Sequence, residues 1–246
     1  MHGCSSNDIS LPLVRLIAPE LVASNGDRTF DKQHYPGNRM IANWRNRFLG
    51  KREALEGNEW RVAEAALKGI MEVGKEERCD QKVYCVRLYT RSVFVNRVTN
   101  QALRNNDESK AEALVPFCYL LRQHIYSPSL PVYRGTMFRG CQLETSMIDQ
   151  YREMVGRETV SWLGFTSTSK SLKIAKAFGC NTIFVIDLSE FTERFRYGRP
   201  VDISSMSMFP DEDEVLLPAG FGFTVKKVEQ NLNDNLTYID ICGIAC

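Results

Sequence analysis

The texture of this 246-residue chain changes near residue 128, and that change constrains its fold more than any other feature. Before it, apolar residues recur at three- and four-residue spacing in "EWRVAEAALKGIMEVG" from Glu59, "RSVFVNRVTNQALR" from Arg91 and "KAEALVPFCYLLRQHIY" from Lys110. That period predicts amphipathic helices, with Gly74 and the "NND" at Asn105 as stops. After "SPSLP" the chain breaks into short runs: "PVYRGT", "VSWLGFTSTS", "TIFVIDL", "EVLLPAG", "FGFTVKKVE" and "LTYIDICGI". Alternation and β-branched residues predict strands there. A short helix, "SLKIAKAF", with Ser171 or Ser169 as its N-cap, interrupts them. Helices first and strands afterwards predict an α+β fold, not an alternating one. The expected arrangement is a helical N-terminal lobe over residues 1–127, packed on a β-rich core over 128–246. The joint, Ser127 to Pro131, is too short to be a free linker.

Composition removes several classes of function. The formal net charge of +1 argues against a nucleic-acid binder. The basic "NWRNRF" at Asn43 to Phe48 alternates with apolar residues like a helix face. No apolar run approaches the roughly 18 residues of a membrane span, and Arg15 and two prolines break up the N-terminal segment. The chain reads as cytoplasmic, and a secreted chain trimmed of its signal would read the same. The 8 cysteines form no C-x-x-C pair and there are only 3 histidines, so no metal site is expected. Phosphate-binding glycine loops and the G-x-S-x-G elbow are missing too.

What remains is polar residues on the predicted strands. In "VYRG", Arg134 sits among apolar residues on the first strand of the second half, awkward there unless it meets an anion. Gly135 beside it would let a ligand approach the backbone. The plainer reading is an edge-strand arginine paired with a local acid. In "GFTSTS", the hydroxyls of Ser167, Thr168 and Ser169 either cap the following helix or orient a carboxylate. In "FPDEDEVLLPAG", four acids run into an apolar strand. A side-chain period of two predicts that Glu212 and Glu214 share one side of an extended backbone, with Asp211 and Asp213 opposite. A solvated acidic turn is the other reading.

In this order and spacing, an arginine on the first strand, then S-T-S, then E-x-E before "VLLP", the chain resembles the arginine-serine-glutamate class of mono-ADP-ribosyltransferases. The resemblance covers residues 128–230, and "YTRSVFVNRVTNQALR" from Tyr89 is similar to the helix preceding the catalytic half of many members. It implies a split-sheet core, with one unit from about residue 85 onward. It also implies NAD as co-substrate without a metal, and an acceptor protein with an exposed arginine.

The same resemblance implies the roles of individual residues. Glu214 would be the catalytic carboxylate, Ser167 its orienting partner, Arg134 the contact to an NAD phosphate or ribose, and the Gly135 backbone the grip on the nicotinamide amide. Thr168 and Ser169 would support the pocket. Glu212 would mark arginine specificity, and Phe209 would be the aromatic of the acceptor-recognition loop. Arg196, Tyr197 and Arg199 would lie where members contact phosphate and nicotinamide. The same motifs fit an NAD glycohydrolase, in which water replaces the acceptor, and an inactive module that binds NAD or ADP-ribose.

Overall fold

The computed structural model describes residues 81–91, 93–107, 111–127, 129–130, 132–157, 159–189 and 199–244. The expected helix from Glu59, the "NWRNRF" segment and the candidates Arg196 and Tyr197 lie outside them. The chain divides into two compact units, one ending at Arg122 and the other beginning at Gln123.

The described part of the first unit is helical. It comprises α1 (Gln81–Arg91), α2 (Val93–Arg104) and the greater part of α3 (Ala111–Ile125). Val86, Tyr89, Leu103, Phe117 and Leu121 are buried at the three- and four-residue spacing that the sequence displays. Asn100 donates its side-chain amide both to the Tyr89 hydroxyl and to Asn96 Oδ1, each at 3.0 Å. Tyr89 and Asn100 therefore join α1 to α2.

The second unit is built on one eight-stranded sheet. Its elements are β1 (Thr136–Cys141), α4 (Thr145–Glu153), β2 (Val160–Trp162), β3 (Thr166–Ser169), α5 (Leu172–Ala177) and β4 (Thr182–Asp187). After these come β5 (Val201–Asp202), a 3-10 turn (Pro210–Glu212), β6 (Glu214–Leu217), β7 (Phe221–Asn231) and β8 (Leu236–Gly243). The order across the sheet is β2-β7-β8-β4-β1-β3-β6-β5. The sheet is mixed: β4 and β8 run parallel, and the other neighbours are antiparallel. Between β1 and β4 the register runs unbroken from Thr136↔Asp187 to Cys141↔Thr182, whereas β1 and β3 meet only at Phe138↔Ser169. That seam divides the sheet into a wide part and a narrow part.

The continuous run "VSWLGFTSTS" does not form one strand. Trp162 ends β2 at one edge of the sheet against Phe221, and four residues later Thr166 starts β3 beside β6. Each segment follows its own packing. Trp162 lies edge-on to Phe184 at 5.0 Å, tilts against Phe223 at 4.8 Å, and donates its indole N–H to the Tyr151 hydroxyl at 3.1 Å. Such aromatic contacts add roughly 0.5–1.5 kcal/mol each to the burial itself. Helix α4 has no counterpart in the sequence reading, because in "TSMIDQYRE" only Ile148 is buried and no apolar period is visible.

Helix α5 starts where the sequence suggests: the Ser171 hydroxyl accepts the Ile174 N–H at 3.4 Å. Its far end is tied down by Lys176, whose ammonium lies 2.7 Å from Asp234 Oδ2, an oxygen that also accepts the Tyr238 hydroxyl at 2.7 Å. These two donors hold Asp234 down at about 2.

Candidate active site

A cleft of about 210 Å³ opens at the seam between β1 and β3. Phe138, Arg139 and Gly140 line it from β1, Ser167, Thr168 and Ser169 from β3, Ile174, Ala175 and Phe178 from α5 and the residue that ends it, and Glu212 and Glu214 from the acidic segment. Its volume is below the about 300–1,000 Å³ of pockets that enclose a whole drug-sized ligand.

Glu214 is the first residue of β6, opposite Ser169, and it is only 5% exposed. The Ser207 hydroxyl donates to its Oε2 at 3.2 Å, and the Ser167 side chain makes a second hydrogen bond to it. Burial pushes its pKa above the ordinary 4.5 and the nearby charge of Glu212 adds to this, while the two serines and Arg139 oppose it.

Glu212 reaches the same cleft by a route other than strand alternation. Pro210–Glu212 is a 3-10 turn and Asp213 has φ 49, left-handed backbone, so extended structure begins only at Glu214. The period-of-two argument therefore does not apply, and a turn delivers the second carboxylate. Proline at the turn's start and aspartate in the left-handed position suit that geometry. The turn is fastened to the end of β3. The Ser169 hydroxyl donates to the Glu212 carbonyl at 2.7 Å, and the Lys170 N–H to the Asp213 carbonyl at 3.1 Å. The Lys170 ammonium lies 2.8 Å from Asp202 and 3.5 Å from Asp213. Charge crowding in "DEDE" is thus divided: Asp213 faces a lysine, while Glu212, its pKa raised by burial, faces the cleft.

The sequence expectation put Arg134 and Gly135 on the first strand, but β1 begins at Thr136. Gly135 has φ +130, which favours glycine, and its carbonyl accepts the Leu188 N–H at 3.1 Å. Arg134 is exposed, and neither residue lines the cleft. The guanidinium that does belongs to Arg139, whose Nη1 donates to the Ser167 carbonyl at 2.7 Å across the seam. A signal for it was present: "VYRGTMFRG" contains the aromatic-Arg-Gly triplet twice, and the second copy lies within β1. Gly140, in that copy, admits no side chain, since a Cβ there would sit 2.1 Å from the Ala175 carbonyl oxygen.

The remaining candidates separate by contact. Thr168 lines the cleft but donates its hydroxyl to the Val215 carbonyl at 2.7 Å, a cross-strand bond. Arg199 donates to the Leu130 carbonyl at 3.0 Å and is not part of the cleft lining. Phe209, 48% exposed, sits at the start of the 3-10 turn. Ser207 and Phe178 were not anticipated. Among the described residues, no cluster of three His, Cys, Asp or Glu side chains has the makings of a metal site, and no helix is long and apolar enough to cross a membrane.

Comparison with known proteins points to one family. Residues 43–241 match the family model described as ART, NAD:arginine ADP-ribosyltransferase. A putative NAD(+)--arginine ADP-ribosyltransferase of Mycobacterium avium (strain 104) is 42% identical over 98 residues, 39% of this chain and 10% of that protein. The erythroblast NAD(P)(+)--arginine ADP-ribosyltransferase of Gallus gallus is 30% identical over 142 residues, 57% of this chain and 44% of that protein. The chain thus spans less than half the length of each. The crystal structure of the ADP-ribosyltransferase HopU1 of Pseudomonas syringae pv. Tomato DC3000 superposes with a TM-score of 0.54 at 19% identity, over 74% of this chain and 87% of that one. It shares the fold, a large mixed sheet with a few helices. With a family match over most of its length and the two glutamates gathered in one cleft, the chain belongs to the NAD:arginine ADP-ribosyltransferase family.

Proposed function

We propose that this chain is a mono-ADP-ribosyltransferase that uses NAD to modify arginine side chains of an acceptor protein. The observation that carries this reading is Glu214, a buried carboxylate held by two serine hydroxyls in a cleft shared with Arg139 and Glu212. Breaking the bond between ribose and nicotinamide leaves positive charge on the ribose, while the bonding electrons depart with neutral nicotinamide. A fixed carboxylate stabilises that charge better than a mobile one, because it needs no reorganisation as the charge develops.

In this reading Glu214 faces the ribose, with Ser167 and Ser207 fixing its orientation. Arg139 meets the negative charge of the ligand's phosphates, and Gly140 lets α5 close against β1 to form one wall of the cleft. These roles replace those expected of Arg134 and Gly135, which stand outside the cleft lining. Glu212 holds the incoming guanidinium and takes its proton as the nitrogen attacks the ribose carbon. Phe209, exposed beside it, contacts the acceptor.

The experiment is transfer of labelled ADP-ribose to agmatine by wild type, Glu212→Gln and Glu214→Gln, with nicotinamide release followed in parallel. The expected result is transfer by wild type, loss of both reactions in Glu214→Gln, and loss of transfer alone in Glu212→Gln. Nicotinamide release without transfer by wild type would replace the reading with a glycohydrolase. NAD binding without release would leave an inactive binding module.

A further inference from the structure

Glu214 is oriented by two elements, and only one of them was expected. Ser167 approaches from β3. Ser207 approaches from the segment between β5 and the 3-10 turn, is 7% exposed, and donates to Glu214 Oε2 at 3.2 Å. The same Ser207 oxygen accepts the backbone N–H of Phe209 at 3.1 Å. A hydroxyl carries one proton, so an oxygen that accepts from Phe209 has its own proton free to donate, and the carboxylate is the partner that receives it. Ser207 is fixed in turn, because its N–H donates to the Ile203 carbonyl at 2.8 Å, and the Ile203 N–H donates to the Glu214 carbonyl at 3.0 Å. Side chain and backbone of Glu214 are thus tied to one short loop, whose other end carries exposed Phe209.

We infer that Ser207 is a positioning residue that aims Glu214 and links its alignment to the loop bearing Phe209; this rests on the reading of Glu214 given above. The hydroxyl acts through the carboxylate and not on the ligand, since Ser207 is not part of the cleft lining. Its removal takes away one donor that favours the ionised carboxylate, so the acid limb of activity moves to higher pH. A packing role would leave that limb in place.

The test compares nicotinamide release from NAD by wild type, Ser207→Ala, Ser207→Thr and Glu214→Gln. The expected result is a kcat of Ser207→Ala lower by about 10- to 100-fold, the range for a hydrogen bond to a charged group. KM for NAD stays near the wild-type value, the acid limb shifts upward, and Ser207→Thr recovers most of the activity. Wild-type kcat with an unshifted acid limb in Ser207→Ala would overturn the inference, as would a Ser207→Thr variant no more active than Ser207→Ala. Full release by Glu214→Gln alone would instead overturn the reading of Glu214 on which it rests.

Discussion

The hydroxyl of Ser169 donates to the backbone carbonyl of Glu212 at 2.7 Å, so the last residue of the S-T-S strand holds the turn that carries the second glutamate. Ser169 also accepts the Ser171 N–H at 3.0 Å, which links this contact to the start of α5. Replacing Ser169 with alanine leaves both groups without this partner. A net hydrogen bond is worth about 1 kcal/mol, so transfer to agmatine should fall roughly five-fold. Nicotinamide release should fall less, because Glu214 keeps its own serines. Parallel assays of both reactions check this, and equal losses would mean that Ser169 supports the whole cleft instead of the turn.

The cleft guanidinium is Arg139, and Arg134 is exposed outside the lining. Arg139→Ala removes both the positive charge and the donor to the Ser167 carbonyl across the β1–β3 seam. NAD binding measured by calorimetry should weaken by about ten-fold or more, the scale of a lost charge-assisted contact. Arg139→Lys should recover only part of this, since an ammonium cannot reproduce the planar fork. Arg134→Ala should bind NAD within about two-fold of wild type, as exposed substitutions usually do. The reverse ranking would return the phosphate role to Arg134.

Much of this site is legible in the sequence where chemistry depends on residue type and order. Glu212, Glu214 and Ser167 stand out because the order of arginine, S-T-S and E-x-E resembles a known family, whereas each feature alone also fits a plainer reading. Their geometry is less visible. Strand alternation brings Glu212 and Glu214 to one side on paper, yet the protein uses a 3-10 turn and a left-handed Asp213, a local choice that tertiary contacts from Ser169 and Lys170 reinforce. The arginine poses a different problem. Two aromatic-Arg-Gly triplets stand five residues apart, and only the register of β1 against β4 and β3 shows which one lies at the seam. Strand ends are set by long-range pairing, which a local period does not encode. Ser207 was unreadable for a simpler reason: a lone serine in a loop has no pattern until the fold brings it to its partner.

The protonation of Glu214 gives two linked expectations. Burial raises its pKa above 4.5. If ribose stabilisation needs the ionised form, kcat/KM for nicotinamide release should fall on the acid side with a midpoint above that ordinary value. For stability the sign is opposite to that of a salt-bridged acid. A carboxyl whose folded value is raised favours folding when protonated; that contribution is complete below the unfolded value and is lost as pH rises through the folded one. Near neutrality the ionised group therefore weighs against the fold. Glu214→Gln should be inactive and yet more heat-stable, by ~2–4 °C for each kcal/mol relieved. Thermal melts of wild type and Glu214→Gln at pH 7 and at pH 4 check this, with the gap narrowing at the lower pH. A variant that melts below wild type at pH 7 would mean that the serine hydrogen bonds outweigh the cost of burying the charge.

Gly140 offers the sharpest test of how the cleft is built. It lies in β1 beside Arg139, and a Cβ placed on it would meet the Ala175 carbonyl oxygen at 2.1 Å, the Ala175 carbonyl carbon at 3.0 Å and the Cys180 sulfur at 3.0 Å. Backbone cannot give way as a flexible side chain does, so Gly140→Ala must push α5 away from β1. Ala175, Ile174 and Phe178 form one wall of the cleft, and that wall would move with the helix. The ties at the ends of α5, the Ser171 cap and the Lys176–Asp234 pair, resist such a shift, so the variant has to strain or break one of them. The expected outcome is a destabilisation of about 1–3 kcal/mol together with loss of NAD binding. Gly156→Ala serves as the control. Gly156 has φ +70 but nothing within 4 Å of an added Cβ, so it carries backbone strain without a clash and without proximity to the cleft. That variant should lose stability and still bind NAD. If Gly140→Ala also bound NAD normally, the close approach of α5 to β1 would not be what shapes the cleft.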